Sequence, residues 1–533
     1  MGTPAVRELP TLRHFTIAYN VAVMYNCGFI TAKLFVIILP QRYILISLRQ
    51  NSQCDMKQII IGRKREIQEL KDLYHSGKPE FVVVYGRRRI GKTFLVRESF
   101  SDKFAFYHTG LSPIELDSGT LKSQQLQSFH SSLVRYGDKH ALAPDNWLEA
   151  FDRLIQVLEK KKESRLVVFI DELPWMDTER SGFVTAFEHF WNGWASGNPR
   201  IMLIACGSST SWINDRLINN HGGLYGRITG EIKLSPFTLG ECEEYFKQAG
   251  LVIDRYDQLQ CYMVFGGIPY YLSLLRRGES IAQNIDRLFF SPTGVLRIEF
   301  DRLFASVFTN VEDCKKIVTL LSTKRIGFTR KEIAEKTGLP YGGGLTSTLR
   351  TLIVSDFVST YVNYDHSNRH TYYRLSDLFC MFYLNFLGKQ RGSNETFWQN
   401  NMVSPALNAW RGFSFEMVVF RHVPQIKQAL NIGAVQTEIS PWHSDKAVDG
   451  AQVDMVIERA DRVVNVCEMK FCSDDFKVDA ATDRDLRHKM TVFAEETKTR
   501  YSLHLTLITT YGLSSSPYQG RFQSVITMDD LFK

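Results

Sequence analysis

No C-x-x-C pair occurs in this chain, and its nine cysteines are odd in number and scattered. That usage excludes a disulfide framework and a thiolate zinc site, and reads as reduced thiols in a cytoplasm. The 13 histidines form no H-E-x-x-H string and no paired metal spacing, so zinc is not expected from them either. Long apolar runs are missing too. The most apolar stretch, Cys27–Leu39 followed by Tyr43–Leu48, is broken by Lys33, Pro40, Gln41 and Arg42. It falls short of the roughly 18 uninterrupted residues of a spanning helix, so no membrane partner is expected. A secretory leader would put its charges first and a small-residue cleavage site afterwards, and that order is not clear here. Residues 1–55 are read as an N-terminal extension. An alternative is a native start at Met56, because Met56-Lys57 leads straight into the first recognisable element.

What is present is a large globular chain. Its 533 residues are too many for one ordinary domain, so roughly three or four are expected. A hydrophobic fraction of 44% with 23% charged residues is enough to bury sizeable cores. The net charge of +7 is compatible with a nucleic-acid partner without demanding one.

The strongest local signal begins at Phe81-Val82-Val83-Val84-Tyr85, a β-branched and aromatic run that reads as a buried strand. Gly86-Arg87-Arg88-Arg89-Ile90-Gly91-Lys92-Thr93 follows at once and matches G-x-x-x-x-G-K-S/T in full, and Phe94–Phe100 then reads as a helix. In that order, backbone N–H groups of the glycine loop wrap phosphates and the helix N-terminus adds positive potential. Lys92 can reach the β- and γ-phosphates of ATP, and the Thr93 hydroxyl can ligate Mg²⁺. A second apolar strand, Arg165–Ile170, delivers Asp171-Glu172 to its end. Asp171 there suits a Mg²⁺ ion held through water, and Glu172 suits polarisation of an attacking water. A third, Ile201–Cys206, ends in Gly207-Ser208-Ser209-Thr210. A hydroxyl at that point could sense the γ-phosphate, with Ser208 the first choice; capping of the next helix is the competing role.

Taken together, these segments resemble the archaeal-type P-loop ATPases, a group related to AAA+ proteins. The likeness opens at Ile61-Gly62-Arg63-Lys64-Arg65-Glu66 and runs through Tyr85–Arg89, Asp171-Glu172-Leu173-Pro174-Trp175 and Cys206–Ser209 to Leu224-Tyr225-Gly226-Arg227. The resemblance implies two further residues. Arg227 stands where related ATPases carry an arginine finger, acting in cis or from a neighbouring subunit, which would make a homo-oligomer. Pro269, in Gly266-Gly267-Ile268-Pro269, resembles a lid proline standing near bound nucleotide.

Further on, Cys314–Ser322, Thr329–Lys336 and Gly344–Val354 read as three helices, and Phe357–Tyr361 and Thr371–Leu375 as strands flanking a polar tip at Asp365–His370. The pattern is that of a winged helix. Such a helix can enter the major groove of DNA, yet Leu345–Leu352 carries a single charge, and winged helices also contact proteins.

In the last third, Gln452–Glu458 and Val463–Phe471 read as a hairpin. Side-chain alternation puts Glu468 and Lys470 on one face, where pairing could add Asp454. Two carboxylates beside a lysine can bind Mg²⁺ and activate water against a phosphodiester. The string resembles the PD-(D/E)xK nuclease superfamily, although Val453 stands where its proline is expected. By that resemblance the segment Gly412–Glu416 supplies a further acidic ligand, Glu416. Asp449, Asp474 and Asp475 read as solvated loop residues.

The expected architecture is therefore α/β: a P-loop NTPase core with a parallel sheet over residues 56–235 and a helical lid over 236–305. A winged helix follows at 306–378, and a nuclease-like α/β domain at 379–533. The expected function is ATP hydrolysis whose nucleotide state regulates a DNA-associated C-terminal domain. The alternative is a signal-transducing switch whose C-terminal domain binds partner proteins and cuts nothing.

Overall fold

The computed structural model describes residues 60–533 apart from 113–119, 220–221, 365–370, 389–393 and 445–449; of residues 1–59 it describes the backbone of three strands. Those strands, β1 (Thr16–Tyr25), β2 (Gly28–Ile38) and β3 (Ile44–Arg49), form an antiparallel sheet within a separate unit, residues 1–59. The second unit is residues 60–533.

That unit starts on a five-stranded parallel sheet of β4 (Glu80–Tyr85), β5 (Phe104–Thr109), β6 (Leu166–Asp171), β7 (Ile201–Gly207) and β8 (Gly230–Lys233), in the order β5-β6-β7-β4-β8. Every residue of β4, β6 and β7 is buried, as expected of strands covered on both faces. Alternation splits the packing between two cores. Phe81, Val83, Val168 and Leu203 face Phe151, Phe187 and Trp191, whereas Val82, Val84, Phe169 and Ile204 face Leu70, Leu95 and Val96. Because all strands run the same way, their C-terminal ends line up on one edge. Strand β7 lies between β4 and β6, so Ser208 emerges between the glycine loop and Asp171.

Helices Leu239–Ala249 and Arg255–Phe265 begin the next region, the first started by a capping box of Thr238 and Glu241 and stopped by Gly250 at φ 65°. Helices Val311–Leu321, Arg330–Thr337 and Gly343–Val354 follow, with a small antiparallel sheet of β9 (Phe328–Thr329), β10 (Val358–Val362) and β11 (Thr371–Leu375) in the order β10-β11-β9. The expected wing tip, Asp365–His370, lies outside the described residues. The C-terminal sheet has β12 (Thr437–His443), β13 (Gln452–Arg459), β14 (Val463–Lys470), β15 (Ser502–Thr509) and β16 (Ser524–Ile526) in sequence order. Its first three strands pair antiparallel and its last three parallel, with helix Ala480–Thr497 crossing from β14 to β15.

Packing does not break at residue 305 or 378. One hydrophobic core runs from Phe237 through Phe289, Leu321 and Phe379 to Phe532. Helix Leu378–Phe386 packs on the region before residue 305, its Phe382 ring 4.8 Å from Phe289. His422 is a polar rivet in this core: its Nδ1 lies 2.8 Å from the Val418 carbonyl oxygen, and its Nε2 accepts the Leu239 N–H at 3.0 Å. Accepting at Nε2 requires the neutral ring with the proton on Nδ1. Among the described residues, no helix is long and apolar enough to cross a membrane.

Burial lowers the His422 pKa to about 4 and that of His108 to about 3. Both rings stay neutral in the folded chain while the unfolded chain takes up protons below about 6.5. Their stabilisation is therefore complete above that pH and is lost as pH falls toward 4, by on the order of 3 kcal/mol for His422. Urea unfolding from pH 7 to 4.5 should show this loss, and His422→Gln should flatten it. An equally steep loss in the variant would remove His422 from the account.

Candidate functional site

The glycine loop needs its glycines. Gly86 has φ 139° and a side chain there would meet the Leu234 carbonyl oxygen at 2.4 Å, while Gly91 has φ 94°. Between them the chain folds back over the edge of β4, and helix Lys92–Phe100 begins beneath it. Lys92 is buried, and its Nζ donates to the carbonyl oxygens of Gly86 at 3.0 Å and Arg87 at 3.1 Å and to Ser208 Oγ at 3.0 Å. An ammonium gathered by three oxygens at the loop is placed to exchange them for phosphate oxygens.

Strand β6 brings Asp171 alongside. The Thr93 hydroxyl donates to Asp171 Oδ2 at 2.9 Å. Burial, and after it the charge of Glu172, pushes the Asp171 carboxyl above its ordinary range. A hydroxyl and a destabilised carboxylate form a hard-oxygen pair that fits Mg²⁺, which would relieve that repulsion. Glu172 stands at φ 46° and accepts from Ser208 twice, at Oε2 from the N–H (3.0 Å) and at Oε1 from the hydroxyl (2.6 Å). Lys92, Thr93, Asp171, Glu172 and Ser208 are thus one connected group.

The arginines of the loop do something else. Arg87 is buried, 2.5 Å from Asp377 Oδ2, with its guanidinium against the Phe357 and Phe379 rings. Burial opposes its charge, and Asp377 together with Tyr271, Cys380 and Glu299 more than restores it. Arg89 donates to both oxygens of Glu299 at 3.0 and 3.2 Å and lies 4.0 Å over the Tyr270 ring. At positions 87 and 89 it is the backbone, not the side chain, that is left for phosphates. Arg88 is half-buried, and Ile90 sits in the core under the loop. The residue after Pro269 touches the loop: the Tyr270 N–H donates to the Arg89 carbonyl oxygen at 3.4 Å.

Arg227 is exposed and at the wrong end of the sheet for its own loop. The N–H of Thr229 bonds to the Phe81 carbonyl oxygen, and Gly230 pairs with Val82. At ~3.3 Å per strand residue, Arg227 lies well over 10 Å from the edge that carries Lys92. A role in cis does not fit this topology.

A second cluster forms on β13 and β14. Asp454 Oδ2 accepts the Met469 N–H at 2.9 Å, and Lys470 Nζ stands 2.8 Å from Glu468 Oε1. Lys489, on the crossover helix, donates to Glu468 at 3.1 and 2.8 Å. Arg325, from the turn before β9, reaches Asp454 Oδ1 at 3.2 Å and contacts Glu416 Oε1. Burial and the charge of Glu468 raise the Asp454 carboxyl. Burial also acts against the Glu468 charge, but Lys489 and Lys470 outweigh it and hold that carboxyl below its usual range. The expected Glu416, Asp454, Glu468 and Lys470 are brought together. The donors are hard oxygens of the kind Mg²⁺ takes, yet among the described residues no group of three stands arranged to hold a metal ion, and lysine and arginine side chains are on these oxygens. Lys489 and Arg325 were not anticipated. The helix following Lys470 was the place to look for Lys489; no local signal marks Arg325. Asp474 and Asp475 are exposed, and Asp449 lies outside the described residues.

Residues 60–275 match a family described as an ATPase domain predominantly from Archaea. An uncharacterised protein of Methanocaldococcus jannaschii is 24% identical over 398 residues, 73% of this chain and 83% of that protein. A Walker-type ATPase of Pyrococcus abyssi superposes with a TM-score of 0.41 at 17% identity, over 61% of this chain and 96% of that one. The Aeropyrum pernix ORC2 protein, in ADPNP and ADP complexes, gives 0.41 at 15%, over 66% of this chain and 98% of that one.

Asp377→Asn should expose what the loop's anchor is worth. The amide can still cap helix Leu378–Phe386, but it leaves Arg87 buried without its counter-charge, at a cost of about 3–5 kcal/mol. Urea unfolding measures this, and a loss below about 1 kcal/mol would show that the pair is dispensable.

Proposed function

We propose that this chain, whose residues 60–275 form an archaeal-type ATPase domain, binds ATP with Mg²⁺ and hydrolyses it. We propose further that its nucleotide state governs a nuclease-like C-terminal domain acting on DNA. The observation that carries the first part is the connected group at one sheet edge: Lys92 bonded to Ser208, Ser208 bonded to Glu172, and Thr93 bonded to Asp171. Backbone N–H groups of Gly86–Lys92 and the Lys92 ammonium would hold the phosphates, while Thr93 and Asp171 would hold Mg²⁺. When bound, that ion neutralises charge on the β- and γ-phosphates. Glu172, freed from Ser208, is placed to orient a water and accept its proton, and Ser208 to bond the γ-phosphate. Pro269 closes over the loop from the lid, and Arg227 of a second copy supplies positive charge from outside.

Support for the second part is a run of contacts. Arg87 of the loop pairs with Asp377; the adjacent Ser376 carbonyl oxygen accepts from Arg421 at 2.7 Å; and Arg421 ends the helix Pro405–Arg421 that carries Glu416. The three helices and small sheet over residues 311–375 support the winged-helix reading of this region. The mixed sheet with its crossover helix, bearing Asp454, Glu468 and Lys470, supports the nuclease-like one. A second reading, a switch that docks partner proteins without cutting, is favoured by one contact. Arg350 of the candidate recognition helix bonds Asp215 of the ATPase region at 2.8 Å, which turns that helix toward its own chain.

Lys92→Ala should abolish ATP binding. Glu172→Gln should keep it and slow phosphate release by about 10²–10⁴-fold. Plasmid and single-stranded DNA, offered with Mg²⁺ or Mn²⁺ with and without ATP, test the rest. Cutting lost in Glu468→Ala, and altered by ATP only when Lys92 is intact, is the expected result. No cutting under any condition, with ATP binding retained, would favour the docking switch.

A further inference from the structure

We propose that Arg325 is a built-in stopper of the C-terminal carboxylate site, and that a divalent cation must displace it before the site can act. This rests on the nuclease-like reading of Glu416, Asp454 and Glu468 and specifies how that site is regulated.

The cations on the three carboxylates differ in origin. Lys470 and Lys489 belong to the same α/β domain, on β14 and its crossover helix. Arg325 comes from the preceding module, from the turn between helix Val311–Leu321 and β9. The oxygens divide accordingly. Both Glu468 oxygens are bonded by lysine, and Asp454 Oδ2 is bonded by the Met469 N–H. Asp454 Oδ1 and Glu416 Oε1 are the oxygens that Arg325 holds. A divalent cation held by Glu416 and Asp454 would compete with the Arg325 guanidinium for this pair. With three carboxylates facing three cations the cluster is already neutral, so attraction for a further cation is largely spent.

Arg325 is also placed to leave. Its side chain is 46% exposed, against 8% for Asp454, so water can take over its solvation. The turn that presents it is fixed rather than loose. Gly327 stands at φ 79° with its Cα packed on β11, where a side chain would meet the Tyr373 carbonyl oxygen at 2.1 Å. The Ile326 carbonyl oxygen accepts from the Tyr361 hydroxyl at 2.7 Å. Strand β11 then runs directly into Asp377, the partner of Arg87. A shift of the glycine loop on binding nucleotide therefore has a short mechanical route to the turn that carries Arg325.

Mn²⁺ binding to the full chain, read from the electron paramagnetic resonance signal of the free ion, tests this without any cleavage. Arg325→Gln should bind Mn²⁺ about tenfold or more tightly than the native chain, the scale on which one neighbouring charge changes a carboxylate's affinity for a cation. Both contacts are made by one nitrogen, Nη2, so Arg325→Lys, which keeps the charge, should lie closer to native. Adding Asp454→Asn to Arg325→Gln should abolish the gain. Melting in the presence of chelator checks that Arg325→Gln is folded. Equal Mn²⁺ affinity in the native chain and Arg325→Gln would overturn the stopper while leaving the metal-site reading standing. Absence of binding even in Arg325→Gln would overturn both.

Discussion

The buried pair of Arg87 and Asp377 is the constraint around which the second half of the chain is arranged. Each side chain is no more than 3% exposed, and moving two charges out of water costs several kcal/mol per ion before their attraction repays it. Such a contact persists only where the surroundings fix it. Here the Phe357 and Phe379 rings flank the guanidinium, and the Cys380 N–H donates to the second Asp377 oxygen at 2.7 Å. The consequence is geometric. The glycine loop is tied by a side-chain ion pair to the residue that starts helix Leu378–Phe386, in the middle of the core that runs from Phe237 to Phe532. Arg89 repeats the attachment at Glu299, whose Oε1 also accepts from the Tyr271 hydroxyl.

How much of this could be read beforehand follows from the range of each interaction. The strand, loop and helix around Lys92, the carboxylates after β6 and the hydroxyl after β7 were legible because each is a short string whose neighbours in sequence are its neighbours in space. Parallel strands then did the assembly. The pairs that span the chain were not legible. Arg87 and Arg89 occupy variable positions of the loop motif, and nothing local points to Asp377 or Glu299. The packing partner of helix Leu378–Phe386 was out of reach for the same reason: apolar periodicity identifies it as buried, but not which element buries it. Arg227 was placed by resemblance, and only the parallel pairing of β8 with β4 shows which end of the sheet it occupies.

The C-terminal cluster makes a related point about charge. Alternation along β14 put Glu468 and Lys470 on one face, and hairpin register added Asp454, so the acidic set was accessible from the strand pattern. Its cationic complement was not, since Lys489 arrives from a helix and Arg325 from another module. Yet the cations decide the state of the cluster. Buried carboxylates left alone would shift toward their neutral forms, as burial and Glu468 make Asp454 do. Where Lys489 and Lys470 reach, at Glu468, the charge is kept instead.

These two features meet. From residues 376 and 377, beside the glycine loop's Arg87, one arm runs through Arg421 into the helix bearing Glu416, and another runs back along β11 to the turn bearing Arg325. The ends of both arms touch each other, because Arg325 contacts Glu416. A displacement at the loop therefore acts on both members of that contact, and an unequal displacement of the arms is enough to part them. Contiguity alone supplies a route and not a signal; a signal requires that the route have two arrangements of similar free energy. An exposed guanidinium on a half-buried carboxylate is suited to that, because water and a divalent cation can each replace the partner it gives up, whereas the buried Arg87 pair at the other end has no such substitute. The rigid contact transmits and the solvated one yields, which places the point of switching at Arg325 rather than at the loop.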